Sequence, residues 1–552
     1  MISRLAAIFL AFACLAAPLR AQWTTTVYTL RPGWNSLWLH GDASHLTPDQ
    51  AFASVPQVTE AWRWNNGAVG RQFSFDPATP GGGLPDWSYW AKGTLGNTLA
   101  SMTGQAGYIV RNTASSNITV SITSRAMAPA NLWTRSGANF QGLPSRASSG
   151  TYPTFANYFA SFPAAISAGS DIFKYVGGNL SQSNPMAIFS TTSERVDRNQ
   201  AYWFEAEVTN DFYGPFSISF KNGADLNFGL QRNTSTLLLR NRTSAQITVT
   251  ATPVNSDSAP AGQTAVAGPA SLTRRAFAPS TATWSETPIG ASTSISIPGN
   301  STVELPLGLA RAGIQPGDFH ASILRLTDST NLVQIDLPVS ATGDSKAGLW
   351  VGEATLSGVG SFAAGYNGTA TSPATPSLRI LLHISADGTA RLLSQAFLGL
   401  NANGDDCVAT SQSLLKTSAL ADSTRFFAAH MPLDRVIACS GSANPGASLS
   451  GQILIPFDDA TNPLVHQYHP DHDNRSPSGA ILSAGAESAN ISRAFTLAFT
   501  ADAPGASPGS GWGGNSIGGT YSETLTGLSR NPVTLTGTFR LQKASSISTL
   551  TQ

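Results

Sequence analysis

From Trp23 onward the chain runs in short stretches of alternating apolar and polar residues. Gly, Pro, Asn and Asp punctuate them, the pattern of half-buried strands joined by turns. Val27–Leu30 and Trp34–Leu39 flank the turn Arg31-Pro32-Gly33, and Ile118–Ile122 alternates cleanly. Thr236–Asn241 and Ala245–Thr250 read as a strand pair, followed by Ser301–Leu305, Pro316–Leu326 and Leu332–Val339. Beyond Gly348 the alternation continues through Gly348–Leu356, Leu378–Ile384 and Ala390–Leu398, the last two flanking the hairpin signal Asp387-Gly388. Ala447–Ile455, Ile491–Phe499, Gly519–Thr526 and Val533–Leu541 complete the set. A helix is expected only briefly, from the cap-like Thr47 through Ala53. The expected fold class is therefore all-β and multidomain.

The first 200 residues contain a repeat. In its first copy a strand from Gly33-Trp34-Asn35 precedes the short helix, then Glu60–Trp64, a Gly/Pro loop around Pro80–Pro85, Gly107–Val110 and Ile118–Ile122. The second copy keeps that order: Gly137–Phe140, Pro153–Phe162, Asp171–Tyr175, Ala201–Phe204 and Phe216–Phe220. A period of about 100 residues means tandem domains rather than a solenoid. The boundaries expected are a leader at 1–21, modules at 22–125 and 126–222, a sandwich at 223–343, and a C-terminal antiparallel barrel or sandwich at 344–552.

At these residues the chain resembles a module of secreted bacterial and archaeal surface proteins, with a G-W-N strand, a Trp- or Tyr-bearing middle strand and a closing G-Y-W strand. Gly33, Trp34, Asn35, Trp62, Trp64, Gly107 and Tyr108 carry it in the first copy. Asn139, Tyr175, Tyr202 and Trp203 carry it in the second, which lacks the Trp after its Gly. The resemblance implies that Trp34, Trp62 and Tyr108 are core residues and that the modules are accessory parts of extracellular proteins. Pro316-Gly317-Asp318-Phe319 with Val333–Val339 resembles the end of an immunoglobulin-like domain of bacterial surface proteins, without a Cys pair inside it, and implies a spacer. Gly348-Leu349-Trp350-Val351-Gly352 resembles the opening of lipocalin-like barrels, too short a match to imply a ligand.

Charge narrows the partners. Charged residues are 12% of the chain, and 32 basic residues balance 32 acidic ones, so no field draws nucleic acid or an anionic membrane. Arg4 followed by the apolar run Leu5–Leu19 and the small residues before Gln22 reads as a secretory signal peptide cleaved after Ala21. Its apolar core of about 15 residues falls short of the roughly 20 that span a bilayer. No later stretch is apolar enough to be a transmembrane segment. The expected location is secreted or cell-surface. Of three cysteines, Cys14 leaves with the leader, and Cys407 with Cys439 is read as one disulfide in an oxidising compartment. A pair of unrelated buried thiols is the alternative.

Candidate chemistry is sparse. His466, His469, Asp471, His472 and Asp473 fall within eight residues, beside Tyr468 and Asn474, and offer N and O ligands for a structural divalent cation. A hydrogen-bonded polar loop is the plainer reading. Asn401-x-Asn403-Gly404-Asp405-Asp406 has the start of a calcium loop without its distal Glu, so an Asn-Gly turn is expected. Gly505-Ala-Ser-Pro-Gly509 matches a nucleophile elbow in letters only, lacking a strand before it and a helix after. No cofactor motif appears, and no enzyme is expected. Seven of the twelve Trp lie between Trp23 and Trp90. Trp38, Trp87 and Trp90 are the candidates for an exposed, ligand-binding aromatic face, Trp87 and Trp90 because they occupy a Pro/Gly-bounded loop. The function expected is a non-catalytic structural or adhesive surface protein, with polysaccharide or other envelope components as partners. The alternatives are a carbohydrate-binding protein using the Trp-rich loops and a metal-dependent hydrolase centred on 466–474.

Overall fold

The computed structural model describes residues 22–65, 87–134, 138–147, 150–167, 171–180, 184–205, 210–230, 232–311, 314–315, 317–361, 376–428, 435–456, 459–462, 478, 480, 490–503, 512, 515–528 and 532–552. The leader, the 466–474 cluster and Gly505–Gly509 lie outside them. The chain is almost all β and divides into two compact units. One comprises Met1–Leu230, Thr234–Ala278 and Ser285–Gly343, the other Gln231–Asn233, Pro279–Trp284 and Asp344–Gln552.

In the first unit, the N-terminal module contains β1 (Trp23–Leu30), β2 (Gly33–Leu39), helix α1 (Pro48–Ala51), β3 (Val58–Trp64), β4 (Trp87–Ala91), β5 (Ala106–Asn112) and β6 (Ile118–Arg125). Four of its strands form a sheet in the order β2-β5-β3-β4, and β1 pairs with β6 as a ribbon. The second module has β7 (Ala138–Gly142), helix α2 (Phe155–Tyr158), β8 (Asp171–Lys174), β9 (Met186–Ala187) and β10 (Ala201–Glu205), with sheet order β7-β10-β8-β9. The two orders are the same. So are the local devices that build them. Thr47 caps α1 in a capping box with Gln50, and Thr154 caps α2 through the Asn157 amide. Buried Asn35 accepts from the Arg31 amide at 2.8 Å, and buried Asn139 from the Thr134 amide at 2.7 Å, each tying its strand to the backbone ahead of it. Tyr108 donates to the Thr103 carbonyl, and Tyr202 accepts from the Asp197 amide, each five residues upstream.

The next ten strands form two five-stranded sheets. They are β11 (Phe216–Phe220), β12 (Leu226–Asn227), β13 (Thr234–Asn241), β14 (Ile247–Asn255), β15 (Leu272–Ala278), β16 (Thr283–Pro288), β17 (Thr293–Ile297), β18 (Thr302–Leu309), β19 (Phe319–Asp328) and β20 (Gln334–Thr342). Their orders are β11-β13-β18-β15-β16 and β12-β20-β19-β14-β17. Inward residues such as Leu237, Leu239, Val249, Leu305, Leu324 and Ile335 from both sheets share one core, as in a sandwich. Phe216–Phe220, expected to close the second module, pairs instead with β13 at the sandwich edge, because Ile218 and Phe220 pack against the sandwich core.

The second unit contains a closed eight-stranded barrel, which resolves the barrel-or-sandwich expectation. It runs through β21 (Gly348–Ser361), β22 (Ser377–Ile384) and β23 (Ala390–Leu393). After β24 (Gln395–Leu400), β25 (Asp406–Ala409) and β26 (Thr424–Phe427), which leave for a separate sheet, it continues with β27 (Val436–Gly441), β28 (Ser448–Ile455), β29 (Ile491–Phe499), β30 (Ser516–Thr526) and β31 (Val533–Ser545). Strand β31 pairs back on β21 to close it, with register shifts at Leu349/Trp350 and Leu356/Gly358 that let β21 bend. The separate sheet adds β32 (Leu550–Thr551) in the order β26-β24-β25-β32. Strand β30 begins at Ser516, three residues before the strand expected from Gly519. Leu497, Tyr521, Phe539 and Leu541 are buried, whereas Thr520, Ser522, Thr524, Thr536 and Thr538 are exposed, so the barrel is apolar within and hydroxyl-bearing without. One ion pair is buried there: Arg493 Nε donates to Glu523 Oε1 at 2.6 Å and Tyr521 Oη to Glu523 Oε2 at 2.7 Å. The acceptors are satisfied, which is what such burial requires.

The two module sheets meet face to face. Gly142 faces Trp38 so closely that a Cβ there would sit 1.9 Å from the indole Cγ, and one on Gly107 would sit 2.4 Å from the Phe140 ring. Glycine at both positions is what allows the rings to seat. Gly142→Ala is expected to lower stability by about 1–3 kcal/mol through overpacking. Thermal unfolding of the variant checks this, and an unchanged melting temperature would contradict the packing.

Candidate functional site

Pairing places Trp34, Trp38, Trp62, Trp64, Trp87 and Tyr89 on one face of the first module's sheet. The second module covers much of that face with Phe140, Tyr175, Ala201 and Trp203. Trp203 stacks on Phe140 at 4.5 Å and meets Trp64 edge-on at 5.0 Å, while Trp64 meets Trp87 edge-on at 5.1 Å. Backbone bonds stitch the seam's border. Trp34 N donates to Gly178 O at 2.9 Å, Gly178 N to Pro32 O at 2.8 Å and Trp38 N to Asn199 O at 2.9 Å. Ser36 Oγ donates to Ala201 O at 2.7 Å. Gly33, at φ +88°, would drive a Cβ into Gly178 at 2.3 Å, so the close approach needs glycine there.

These contacts overturn the expected exposed aromatic face. Trp38 and Trp87 are 2% and 5% exposed within the seam. Trp90, 2% exposed, points to the opposite face of its sheet and stacks on Phe52 in the first module's core. Strand pairing, not loop placement, governs all three. Conversely, Trp34 and Trp62, expected as core, are only half-buried. Trp34 lies under the Arg111 guanidinium at 5.8 Å, and Trp62 stacks on Tyr89 at 4.9 Å. Arg111 and Glu60 pair at 2.6 Å between them. Tyr108 is buried, as the resemblance implies. The signal for the half-buried strip was the alternation in Trp62-Arg63-Trp64, but only knowledge of the facing sheet separates its covered from its uncovered half.

A second feature went unseen in the sequence. A cleft of about 280 Å³ opens where both modules and the sandwich meet, with Thr25, Val27, His40, Arg198, Arg325 and Asp336 in its walls. Arg325 holds Asp336 through Nε and Nη2, at 2.7 and 3.2 Å, and Arg198 approaches the same carboxylate at 3.6 Å. Arg198 also donates to the Gln334 carbonyl at 2.6 Å and its own carbonyl meets His40 Nε2 at 2.7 Å. Burial pushes the Asp336 carboxyl up, but Arg198, Arg325 and Gln334 outweigh it and hold it below its ordinary 3.8. Burial, with Arg198 beside it, holds the His40 imidazole neutral. The residues come from four distant segments, so no spacing announces them. The arrangement clamps three domains together.

The disulfide expectation is also corrected. Cys407 lies on β25 opposite Gly399, packed among Phe397, Ala409 and Leu415, and Cys439 lies on β27 opposite Ala390. They belong to different sheets and both thiols are free. Burial pushes the Cys439 thiol up to about 11. Asn401 closes the expected turn, its side chain accepting from the amides of Asn403 and Asp405 at 2.9 and 3.0 Å, with Gly404 at φ +89°. Among the described residues no group of three or more His, Cys, Asp or Glu is placed to hold a metal ion. His466, His469, Asp471, His472 and Asp473 lie outside them. No helix among the described residues is long and apolar enough to cross a membrane.

Asp336→Asn is expected to cost about 3 kcal/mol at neutral pH, because two guanidinium groups lose their counter-charge. A carboxyl with a lowered folded pKa stabilises above its unfolded value and loses that contribution as pH falls through the folded one. The gap between wild type and variant, followed by denaturant titration, should therefore narrow below pH 3.8; a constant gap would contradict the clamp. Alkylation of the denatured, unreduced protein should label both Cys407 and Cys439, and labelling of neither would restore the disulfide.

No family model and no curated protein matches the chain. Among solved structures it is similar to the Pseudomonas aeruginosa CupB2 chaperone, at 8% identity and TM-score 0.15, over 42% of this chain and 90% of that one. A second is the CsuC-CsuE chaperone-tip adhesion subunit pre-assembly complex of archaic chaperone-usher Csu pili from Acinetobacter baumannii, at 9% identity and TM-score 0.15, over 41% of this chain and 92% of that one.

Proposed function

We propose that the protein is a secreted, non-catalytic structural or adhesive component of the cell surface or extracellular matrix. The observation that carries this reading is the fusion of the tandem modules through a buried aromatic seam. Trp38, Trp64, Trp87 and Trp203, whose rings could stack on a ligand, are buried in that seam. Rigid β-modules present loops and strand faces at fixed spacing, which suits attachment and load-bearing. The compartment comes from the leader-like Met1–Ala21.

A carbohydrate-binding role is the second reading, favoured by the half-buried strip of Trp34, Trp62 and Tyr89 with Arg111 and Glu60 at its edge. Ring faces beside hydrogen-bonding groups match a sugar's apolar and polar sides. Cell fractionation with N-terminal sequencing tests the principal reading. The chain is expected in the envelope or medium, beginning near Gln22. A cytoplasmic chain with its first 21 residues intact would overturn it.

A further inference from the structure

The second module and the sandwich enclose a small cleft of about 190 Å³ whose walls no structural role above explains. Ser161 and Phe162 contribute from the segment after α2, Asn210 from the connection into the sandwich, and Arg240, Arg242 and Asn300 from the sandwich itself. Phe162 and Phe212 form its apolar wall, their rings 4.9 Å apart. Two polar atoms in the lining residues, Ser161 Oγ and Asn210 Oδ1, are buried with no hydrogen-bond partner. Buried polar atoms are rarely left unpaired, and a ligand hydroxyl reaches these two once the Ser161 and Asn210 side chains turn toward the cleft.

The neighbours show which partner fits. Arg242 is committed, donating to Ser217 Oγ at 3.1 Å and to Asp211 at 2.8 Å. The Asn241 amide is committed too, bonded to the carbonyls of Ala245, Ile297 and Pro298. Arg240 stands exposed at the rim, at the end of β13. The groups that make no direct hydrogen bond are thus a carboxamide oxygen, a hydroxyl and the exposed Arg240 guanidinium, whose charge also acts on Asp211, beside a ring wall. A bare anion would answer Arg240 and leave Asn210 unpaired, and a cation would meet the arginines. A hydroxyl-bearing ring answers every group, and a carboxylate on that ring would pair with Arg240. The volume lies below the 300–1,000 Å³ of drug-sized sites, so it suits one ring.

We propose that this cleft is a subsite for a single sugar residue, with acidic sugars preferred over neutral ones. The proposal deepens the adhesive reading and rests on it, supplying the chemical class of what the surface holds. Saturation-transfer NMR on the full chain with glucuronate, glucose and N-acetylglucosamine tests it, using Ser161→Ala, Asn210→Leu and the exposed Arg240→Gln. Glucuronate should receive the strongest transfer. Arg240→Gln should weaken glucuronate about tenfold with little effect on glucose, the signature of one lost charge-assisted pair. Ser161→Ala and Asn210→Leu should weaken all binding without lowering the melting temperature, since neither atom bonds anything in the free protein. Transfer to no sugar, or transfer that the three variants leave unchanged, would overturn the subsite. Retention of the chain on an insoluble polysaccharide with the variants unaffected would sink the subsite alone and leave adhesion standing.

Discussion

Trp38 can be buried only because Gly142 on the facing sheet has no side chain, and Phe140 only because Gly107 has none. That reciprocal fit sets how near the two module sheets come, and the rest of the first unit follows from it. At that separation Trp34 and Trp38 reach backbone carbonyls of the second module, and Ser36 reaches Ala201. The aromatic rings then interlock, Trp203 stacked on Phe140 and edge-on to Trp64, an arrangement that fixes angle as well as distance. A larger side chain at either glycine would separate the sheets and break the bonds along their border.

The second module is consequently packed on both faces. One presents Phe140 and Trp203 to the first module, and the other presents Ile172, Tyr202 and Phe204 to a core that runs on through Trp133 and Phe212 into the sandwich. Short strands such as Met186–Ala187 would be marginal in an isolated sheet. Here neighbours supply what the strands lack. With few charges in the chain, those that are buried act at specific points. Arg198, Asp336 and Arg325 join domains, and Arg493, Glu523 and Tyr521 sit together within the barrel. Neither set works as a surface ion network.

Much of the fold was legible because strands obey local rules. Asp387-Gly388 turns β22 into β23, with Gly388 at φ +85°, and Ile491–Phe499 is the strand its alternation announced. The repeat was legible because matching residues recur in the same order: Asn35 and Asn139 each accept from a backbone amide ahead of their strand, and Tyr108 and Tyr202 each bond the backbone five residues upstream. What failed was everything that depends on which face meets which. Trp87 looked loop-borne but is the first residue of a strand facing the seam, and Trp34 fits a core motif yet lies at the seam's border. Cys407 and Cys439 looked paired because only two cysteines remained, but Cys407 lies in the separate sheet and Cys439 in the barrel that the chain rejoins after it. The small cleft was invisible because its groups, Ser161, Asn210 and Arg240, are ordinary singly and meet only through packing.

The central claim is that the aromatic seam makes the tandem modules one mechanical body. Native-state hydrogen exchange of the full chain tests it most directly, by comparing the amides of Gly33–Leu39 with those of Ala201–Glu205 across a denaturant series. If the seam fuses the modules, both strands open in the same cooperative step with the same free energy and denaturant dependence. If Ala201–Glu205 exchanges through a separate, lower-energy opening while Gly33–Leu39 stays protected, the modules are independent and the account is wrong.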